Sequence, residues 1–358
     1  MCKLLVRCAF ALLIAATWSR SAFAWGEPGH EVVGSLAQQL LAAEDPQAAA
    51  NLRKALGTVT LGVAATWADC VRSVDEWNGQ LGYHPNFKTP AICTASFNTP
   101  ADIAWMVDYA TRNWTNCTYD GDRKKCHQAF HFADIPIQHG RYDDTVIGSN
   151  DHDIVHAIDA AILVLQGKPA PAPFSITSKK EALFLLAHFV GDLHQPLHVG
   201  AIYLDTNGHV INPVTEHFPM DYCDTKGPTD CTAGGNFLMR GSSRLHSEWD
   251  DIAPGLGTTA SAEMVNAAHS IPKTQGDISG WAATWASDTV RQARSAFKGT
   301  SFSATTSSGN GPNSWNITFS DRRQYIHDRQ LIQKAQLEKA GAHLAELLAQ
   351  LCRNGCSD

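Results

Sequence analysis

Apolar residues recur at helical spacing in four stretches of the chain, and each stretch predicts a helix. Glu31 to Leu41 and Asp153 to Leu165 are amphipathic, whereas Glu181 to Leu193 is apolar on all sides, which is typical of a buried helix. Arg322 to Leu351 predicts a long helix near the end of the chain. Its inward stripe would consist of Leu331, Ala335, Leu337, Ala340, Leu344, Leu347 and Leu348.

The stretches between these helices show no convincing strand pattern, internal repeat or heptad array. Lys168 to Phe174 is rich in proline and ends the second helix, and Gly299 to Ser314 has the Ser, Thr, Gly and Asn content of a surface loop. The predicted fold class is mainly α. A hydrophobic content of 44% is enough for a sizeable core.

The first 24 residues have the pattern of an export signal. Lys3 and Arg7 flank the start of an apolar run from Cys8 to Trp18, and Ala22-Phe23-Ala24 provides a small-residue cleavage site. We therefore expect a signal peptide over residues 1–24 and a mature chain that begins at Trp25. The expected location is secreted or periplasmic, without stable membrane association, because the apolar run is too short to span a bilayer.

Eight of the ten cysteines lie beyond residue 24, and an even number in an oxidising compartment favours disulfides. Proximity along the chain suggests four pairs, although eight cysteines allow 105 pairings and the choice stays open. The suggested pairs are Cys70 with Cys93, Cys117 with Cys126, Cys223 with Cys231, and Cys352 with Cys356.

The charge balance is acidic, with a formal net charge of -7 that becomes -10 without the three cations of residues 1–24. This argues against a broad basic surface for nucleic acid. A polyanionic substrate would need a local attraction, which bound divalent cations provide.

Histidine and aspartate are grouped in several short segments of the chain. His188 and Asp192 are four residues apart, so they share one face of an otherwise apolar helix, where both are costly unless they are paired or bound to metal. His246 and Asp250 repeat this spacing. Imidazole nitrogen and carboxylate oxygen are suitable zinc ligands, but a buried hydrogen bond that only stabilises the core remains an alternative for each pair.

The start of the expected mature chain adds a further group. Cleavage before Trp25 would expose an α-amino group five residues before His30, and a deprotonated amine binds zinc. A tryptophan that packs on a helix start would explain Trp25 without metal. It would not explain the ordered motifs that follow.

Six motifs occur in one order: Trp-Gly-x-x-Gly-His, Trp-Ala-Asp, His-Phe-x-x-x-Pro, His-x-x-x-Asp-x-His-Gln-Pro-Leu-His, Gly-Gly-Asn and Leu-His-x-x-Trp-Asp. From Trp25 to about Leu348 the chain resembles the class I single-strand nucleases of the mung bean nuclease type, secreted enzymes with three zinc ions. These share a mainly α fold with zinc-dependent phospholipases C. The resemblance implies that residues 25–358 form one helical zinc nuclease domain.

The same resemblance implies three zinc ions and assigns their ligands. The first ion would be held by Asp69, His131, His188 and Asp192. The second would be held by Trp25, through its amino and carbonyl groups, and by His30 and the shared Asp192. The third would be held by His198, His246 and Asp250, whereas His194 would be a structural or supporting residue.

The implied activity is hydrolysis of single-stranded RNA and DNA to 5'-phosphate products, with removal of 3'-phosphates from nucleotides. Asp134 matches a family carboxylate that orients the nucleophile or contacts substrate, and Arg72 matches an arginine that supports the metals and the phosphate. Phe132 matches an aromatic residue on which a base stacks, although core packing is an equal alternative from the sequence. No protein partner is predicted.

The chain departs from the family between Asp69 and His131, where 61 residues replace a short connection. We expect a disulfide-stapled insertion over about 73–128, which would either rim the cleft or lie away from it. Asp153 and His156, with the preceding Asp and His, favour a helix start over a further ion site. Asn113, Asn116 and Asn316 lie in glycosylation motifs that matter only in a eukaryotic secretory pathway.

A zinc-dependent phospholipase C is the main alternative function, and a non-catalytic zinc-binding or adhesion protein is a third. The six-residue spacing from Trp25 to His30 and the closing motif that ends in Asp250 favour the nuclease. By resemblance, the lipases place the first histidine farther from the tryptophan and end their ligand set with Glu.

Overall fold

A computed structural model describes residues 25–115, 117, 125–220, 222–223, 230–305 and 314–358. The expected signal peptide and Asn116 lie outside these residues. The described helices confirm the mainly α fold. They are α1 (Glu27–Glu44), α2 (Pro46–Leu56), α3 (Leu61–Ala64), α4 (Trp67–Val71), α5 (Ala91–Ser96), α6 (Pro100–Arg112), α7 (Ile154–Leu165), α8 (Lys179–Leu193), α9 (Pro196–Val199), α10 (Leu245–Asp250), α11 (Ala262–His269), α12 (Trp281–Ala293) and α13 (Arg322–Cys352).

All four helices that the sequence predicts are present, as α1, α7, α8 and α13. Side-chain caps fix where three of them start, because each cap accepts hydrogen bonds from amide groups of the first turn. Ser178 caps α8, Asp321 caps α13, and Asp153 caps α7 through the amides of Val155 and His156. The interpretation of the Asp153 segment as a helix start is therefore confirmed.

Helix α8 lies at the centre of the fold. Every residue of α8 from Glu181 to Leu193 is buried, as its uniformly apolar sequence predicts. Helices α7 and α13 pack against it, and α1 packs along α13. Most of the buried apolar side chains of these four helices belong to one large hydrophobic cluster. Among the residues that the structure describes, no helix is both long enough and apolar enough to cross a bilayer.

Several short strands were not predicted by the sequence. They are β1 (Val74–Trp77), β2 (Gln80–Tyr83), β3 (Ile135–Pro136), β4 (Gly200–Ala201), β5 (Tyr203–Leu204), β6 (Val210–Ile211), β7 (Leu238–Arg240), β8 (Ser243–Arg244), β9 (Thr300–Phe302) and β10 (Trp315–Phe319). The largest sheet has the order β8-β7-β10-β9. Its strand β9 lies inside the segment Gly299 to Ser314, which the sequence predicted as a loop. Strand β3 pairs in parallel with β4 and joins the segment of His131 to that of His198.

The predicted inward stripe of α13 is correct in its second half and wrong at Leu331 and Ala335, which are exposed. Two polar residues are buried in this part of the helix instead. Gln333 donates hydrogen bonds to the carbonyls of Trp249 and Asp251, and Gln336 donates to the carbonyl of His194. The amides face inward because these buried carbonyls need donors.

All four suggested disulfides are present in the structure. Cys70–Cys93 ties residues 73–128 to α4, and the α6 side chains Met106 and Tyr109 belong to the main hydrophobic cluster. Asn113 at the end of α6 is buried, and its side chain bonds to the backbone of Tyr109 and Ser175. It is therefore not available for glycosylation, whereas Asn316 is exposed on β10.

Candidate metal centre

The predicted histidine and aspartate ligands come together where several segments meet at the C-terminal part of α8. His188 and Asp192 lie one turn apart on α8, as their spacing predicts. His30 comes from the first turn of α1, Asp69 from α4, and His131 from the end of the 3-10 helix Cys126–His131. His198 on α9 and the pair His246 and Asp250 on α10 complete the set. These side chains form three groups that could hold a metal ion.

Two of the groups share His188 and lie around the carboxylate of Asp192. Its Oδ2 lies 3.0 Å from Nδ1 of His131 and 3.0 Å from Nε2 of His188, and its Oδ1 lies 3.2 Å from Nε2 of His30. Asp69 approaches from the other side, with Oδ1 3.9 Å from Nε2 of His188. The two carboxylate oxygens of Asp192 thus face imidazoles of both groups.

The third group consists of His198, His246 and Asp250. The two Nε2 atoms are 3.1 Å apart, and the carboxylate oxygens of Asp250 lie 3.9 Å from Nε2 of His198 and 3.7 Å from Nε2 of His246. Gln195 donates a 2.7 Å hydrogen bond to Oδ1 of Asp250 and holds this carboxylate in place.

Backbone carbonyls select the tautomer of the imidazoles. Nδ1 of His198 lies 2.8 Å from the His131 carbonyl, and Nδ1 of His246 lies 2.8 Å from the Gly234 carbonyl. Each Nδ1–H donates there, so the two Nε2 lone pairs face each other. That arrangement is repulsive unless a cation lies between them. His188 is oriented in the same way by the Ala65 carbonyl, at 2.7 Å.

Some polar atoms of the candidate ligands are buried without a hydrogen-bond partner, as expected if they bind cations. Among the described residues, Oδ2 of Asp250 and Nδ1 of His30 are buried without a hydrogen-bond partner. Buried polar atoms without partners are rare because their desolvation is costly. The donor set of imidazole nitrogens and carboxylate oxygens suits zinc, and the residues present fit three such ions.

Burial favours the neutral form of several imidazoles of the site, but the pKa of His188 is raised, because the attraction of Asp192 and other partners outweighs its burial. Burial, followed by the charge of His198, lowers the pKa of His246 to about 3, and burial lowers the pKa of His131 to about 4. Burial raises the pKa of Asp192, but the nearby histidines, His188 foremost, outweigh it and hold that pKa well below its usual range. Burial raises the pKa of Asp250 well above its usual range. Neutral imidazole is the form that binds metal.

Trp25 and His30 pack directly on α8. Trp25 is fully buried, and its indole Nε1–H donates to the carbonyl of Gly191, the residue before Asp192. A Cβ at Gly191 would lie only 3.0 Å from Nδ1 of His30, so a larger residue there would press against this ring. The structure therefore brings the first motif of the chain against the fourth.

A cavity of about 180 Å³ opens onto two of the three groups, through His131 and through His198 and His246. Asp134, Arg72 and Phe132 all line it, together with His131, His198 and His246. The main chain of Asp134 is fixed by hydrogen bonds with the Gly148 carbonyl and the Tyr203 hydroxyl. Arg72 donates to Oδ1 of Asp69 at 3.2 Å. Phe132 is only half-buried and lies outside the hydrophobic clusters.

The structure adds residues that the sequence did not single out. Arg244 and Asn236 line the cavity, and Gln333 and Gln336 bond to the carbonyls of its supporting segments. Asn236 lies in the Gly-Gly-Asn motif, which signals its position. In that motif Gly234 has a φ of +55°, and a Cβ there would lie 2.1 Å from the Leu197 carbonyl. Of the described residues of the 73–128 segment, only Gln128 lines this cavity.

Comparison with known proteins gives consistent matches. A family model described as S1/P1 Nuclease matches residues 25–353. Endonuclease 3 of Arabidopsis thaliana is 22% identical over 196 residues, which cover 54% of this chain and 50% of the relative. Endonuclease 2 of the same plant is 25% identical over 176 residues, 49% of this chain and 45% of the relative. Endonuclease 4 is 24% identical over 200 residues, 56% and 53% respectively. The chain spans about half the length of the curated relatives it matches.

Proposed function

The chain belongs to the S1/P1 nuclease family, and we propose that it is a secreted zinc-dependent endonuclease of single-stranded RNA and DNA. The products are 5'-phosphates, and the same site removes 3'-phosphates from nucleotides. The observation that carries this proposal is the set of three neighbouring His and Asp groups, two of which reach one cavity through His131, His198 and His246. The four disulfides support an extracellular or periplasmic location.

Nine residues hold three zinc ions in this proposal. Asp69, His131, His188 and Asp192 hold one ion, and Trp25 and His30 share Asp192 around a second. His198, His246 and Asp250 hold the third. Bound zinc supplies a water nucleophile that ionises near neutral pH and neutralises charge on the leaving oxygen. Removal of residues 1–24 would give Trp25 the free amine that this assignment needs.

The remaining residues act on the substrate. Asp134 accepts a hydrogen bond from the attacking water and orients it toward phosphorus. Arg72 is held by Asp69 and donates to phosphate oxygens as negative charge increases on them. Phe132 offers a half-exposed ring for a stacked base, a contact that every base can make.

The preference for single strands follows from the depth of the site. His188 and Asp192 are fully buried, and His131, His198 and His246, which are almost fully buried, line the cavity. A phosphate must enter this cavity to reach them, and a stacked, paired nucleotide must first leave the duplex. That unstacking costs a few kcal/mol per step, so unpaired strands react faster.

The test uses protein that begins at Trp25, with zinc measured by elemental analysis. The substrates are single-stranded DNA, RNA and phosphatidylcholine, and the Asp192→Asn variant is the control. We expect about three zinc ions per chain, as this proposal assigns, and cleavage of nucleic acid that the variant loses. Turnover of lipid alone would transfer the chain to the phospholipases C, and protein without zinc or turnover would refute the catalytic proposal.

A further inference from the structure

Arg244 is an exposed arginine on the wall of the cavity. It ends strand β8 and directly precedes α10, two residues before His246. Its backbone is held in the sheet opposite Met239, and the next residue, Leu245, is fully buried. The backbone of Arg244 is therefore fixed beside the third His and Asp group, and the residue lines the cavity.

No ion pair joins Arg244 to an acidic side chain among the residues that the structure describes. Three other arginines, by contrast, have an acidic partner: Arg240, Arg322 and Arg329 all lie within 3.5 Å of the carboxylate of Glu248, which they share. Arg72, the other arginine of the cavity, is paired with Asp69. Arg244 thus keeps a full positive charge at the cavity in a protein whose net charge is -7.

We propose that Arg244 forms a second phosphate-binding subsite, which holds a phosphate next to the scissile one in a single-stranded oligonucleotide. The inference rests on the proposed function and deepens it: the enzyme favours chains of nucleotides over substrates with one phosphate. Arginine suits this role because its planar guanidinium donates two parallel hydrogen bonds to phosphate oxygens.

The position of the two arginines supports separate phosphates. Arg72 follows Asp69, a residue of the His131 and His188 group, whereas Arg244 precedes His246 of the third group. In the proposed function the scissile phosphate contacts the ions of both the His131 and His188 group and the third group, and Arg72 donates hydrogen bonds to it. A cation on the third-group segment is available for the next phosphate along the strand.

The experiment compares Arg244→Gln with Arg53→Gln, which removes the same charge from an exposed position on α2. Each zinc-loaded protein is assayed on a single-stranded 12-mer and on bis(p-nitrophenyl) phosphate, which has one phosphate. For Arg244→Gln we expect kcat/KM on the 12-mer to fall about tenfold, mostly through KM, because one charged phosphate contact is lost. Turnover of the one-phosphate diester and the thermal midpoint should match the control.

Salt dependence gives a second readout. One phosphate contact to a single strand contributes about -0.7 to the slope of log K against log salt. Arg244→Gln should make the slope of KM for the 12-mer shallower by about that amount, and Arg244→Lys should restore most of it. Arg53→Gln should leave it unchanged.

Two outcomes would overturn the subsite. Equal losses on both substrates would show that Arg244 acts through the metal centre, and an unchanged 12-mer KM and salt slope would show that it binds no phosphate. Zinc-loaded wild-type protein that cleaves neither substrate would refute the proposed function itself, and the subsite with it.

Discussion

We predict that Gln333 on α13 holds Asp250 of the third His and Asp group in position. Its amide donates 2.8 Å hydrogen bonds to the carbonyls of Trp249 and Asp251, the two residues that flank Asp250. Gln333→Met keeps the size of the side chain and removes both donors. The carboxylate of Asp250 should then lose its fixed direction toward His198 and His246.

The cost follows from the burial of each group. The Trp249 carbonyl is buried at this contact, so the loss of its donor lowers the free energy of unfolding by about 2 kcal/mol. The Asp251 carbonyl is partly exposed, so the loss of its donor costs about 1 kcal/mol. Oε1 of Gln333 is a buried acceptor without a partner among the described residues, and its removal returns about 1 kcal/mol. We expect the free energy of unfolding to fall by about 2 kcal/mol. Affinity for the weakest-bound zinc should fall about 10- to 100-fold, as for other supporting residues.

The assay combines urea unfolding of the zinc-loaded protein with a chelator competition that reports the three affinities separately. Gln350→Met is the matched control, because Gln350 is an exposed glutamine on the same helix. If Gln333→Met loses stability but keeps all three zinc affinities, the residue supports only the fold. If Gln333→Met matches the control in both stability and zinc affinity, Gln333 does not support the third group.

Three further predictions concern pH, metal removal and close packing. Burial, then repulsion from His194, lowers the pKa of His343 to about 2, so the folded protein keeps it neutral. The unfolded chain takes up the proton below about pH 6.5, so from pH 7 to 5 this histidine lowers the free energy of unfolding by about 2 kcal/mol; urea titrations should show a smaller decrease for His343→Gln, and an equal decrease would contradict this. Chelation should lower the thermal midpoint and added zinc should restore it, because zinc at a thousandfold excess over Kd adds about 4 kcal/mol per site to the free energy of unfolding. An unchanged midpoint would show that folding does not depend on the metals. Gly191→Ala should displace His30 and lower the metal count by about one, because a Cβ there meets the His30 ring at 3.0 Å; elemental analysis that finds an unchanged count would show that the ring can move without loss.

The sequence predicted those parts of the fold that depend on local pattern. Helices α1, α7, α8 and α13 follow from apolar spacing and from caps such as Ser178, which act within a few residues. The spacing of His188 and Asp192 likewise placed both on one face. The four disulfides join cysteines close in sequence, so proximity was a sufficient guide.

The sequence could not predict features that depend on distant partners. Strand β10 is short and is stabilised by β7, almost 80 residues earlier, in a parallel pairing that leaves no local signal. Gln333 has a polar side chain and was not included in the predicted inward stripe, but it is buried because it donates to the Trp249 and Asp251 carbonyls in the interior. The role inferred for Arg244 also depends on which arginines form ion pairs with acidic side chains, and the sequence does not show these pairs.

The proposed zinc sites can be located by anomalous diffraction at the zinc edge, from crystals of the chain that begins at Trp25. We expect three peaks: two neighbouring ones that share Asp192, and a third between His198, His246 and Asp250. Crystals of zinc-loaded, active protein with no peak at these side chains, or with peaks only elsewhere on the surface, would contradict this assignment.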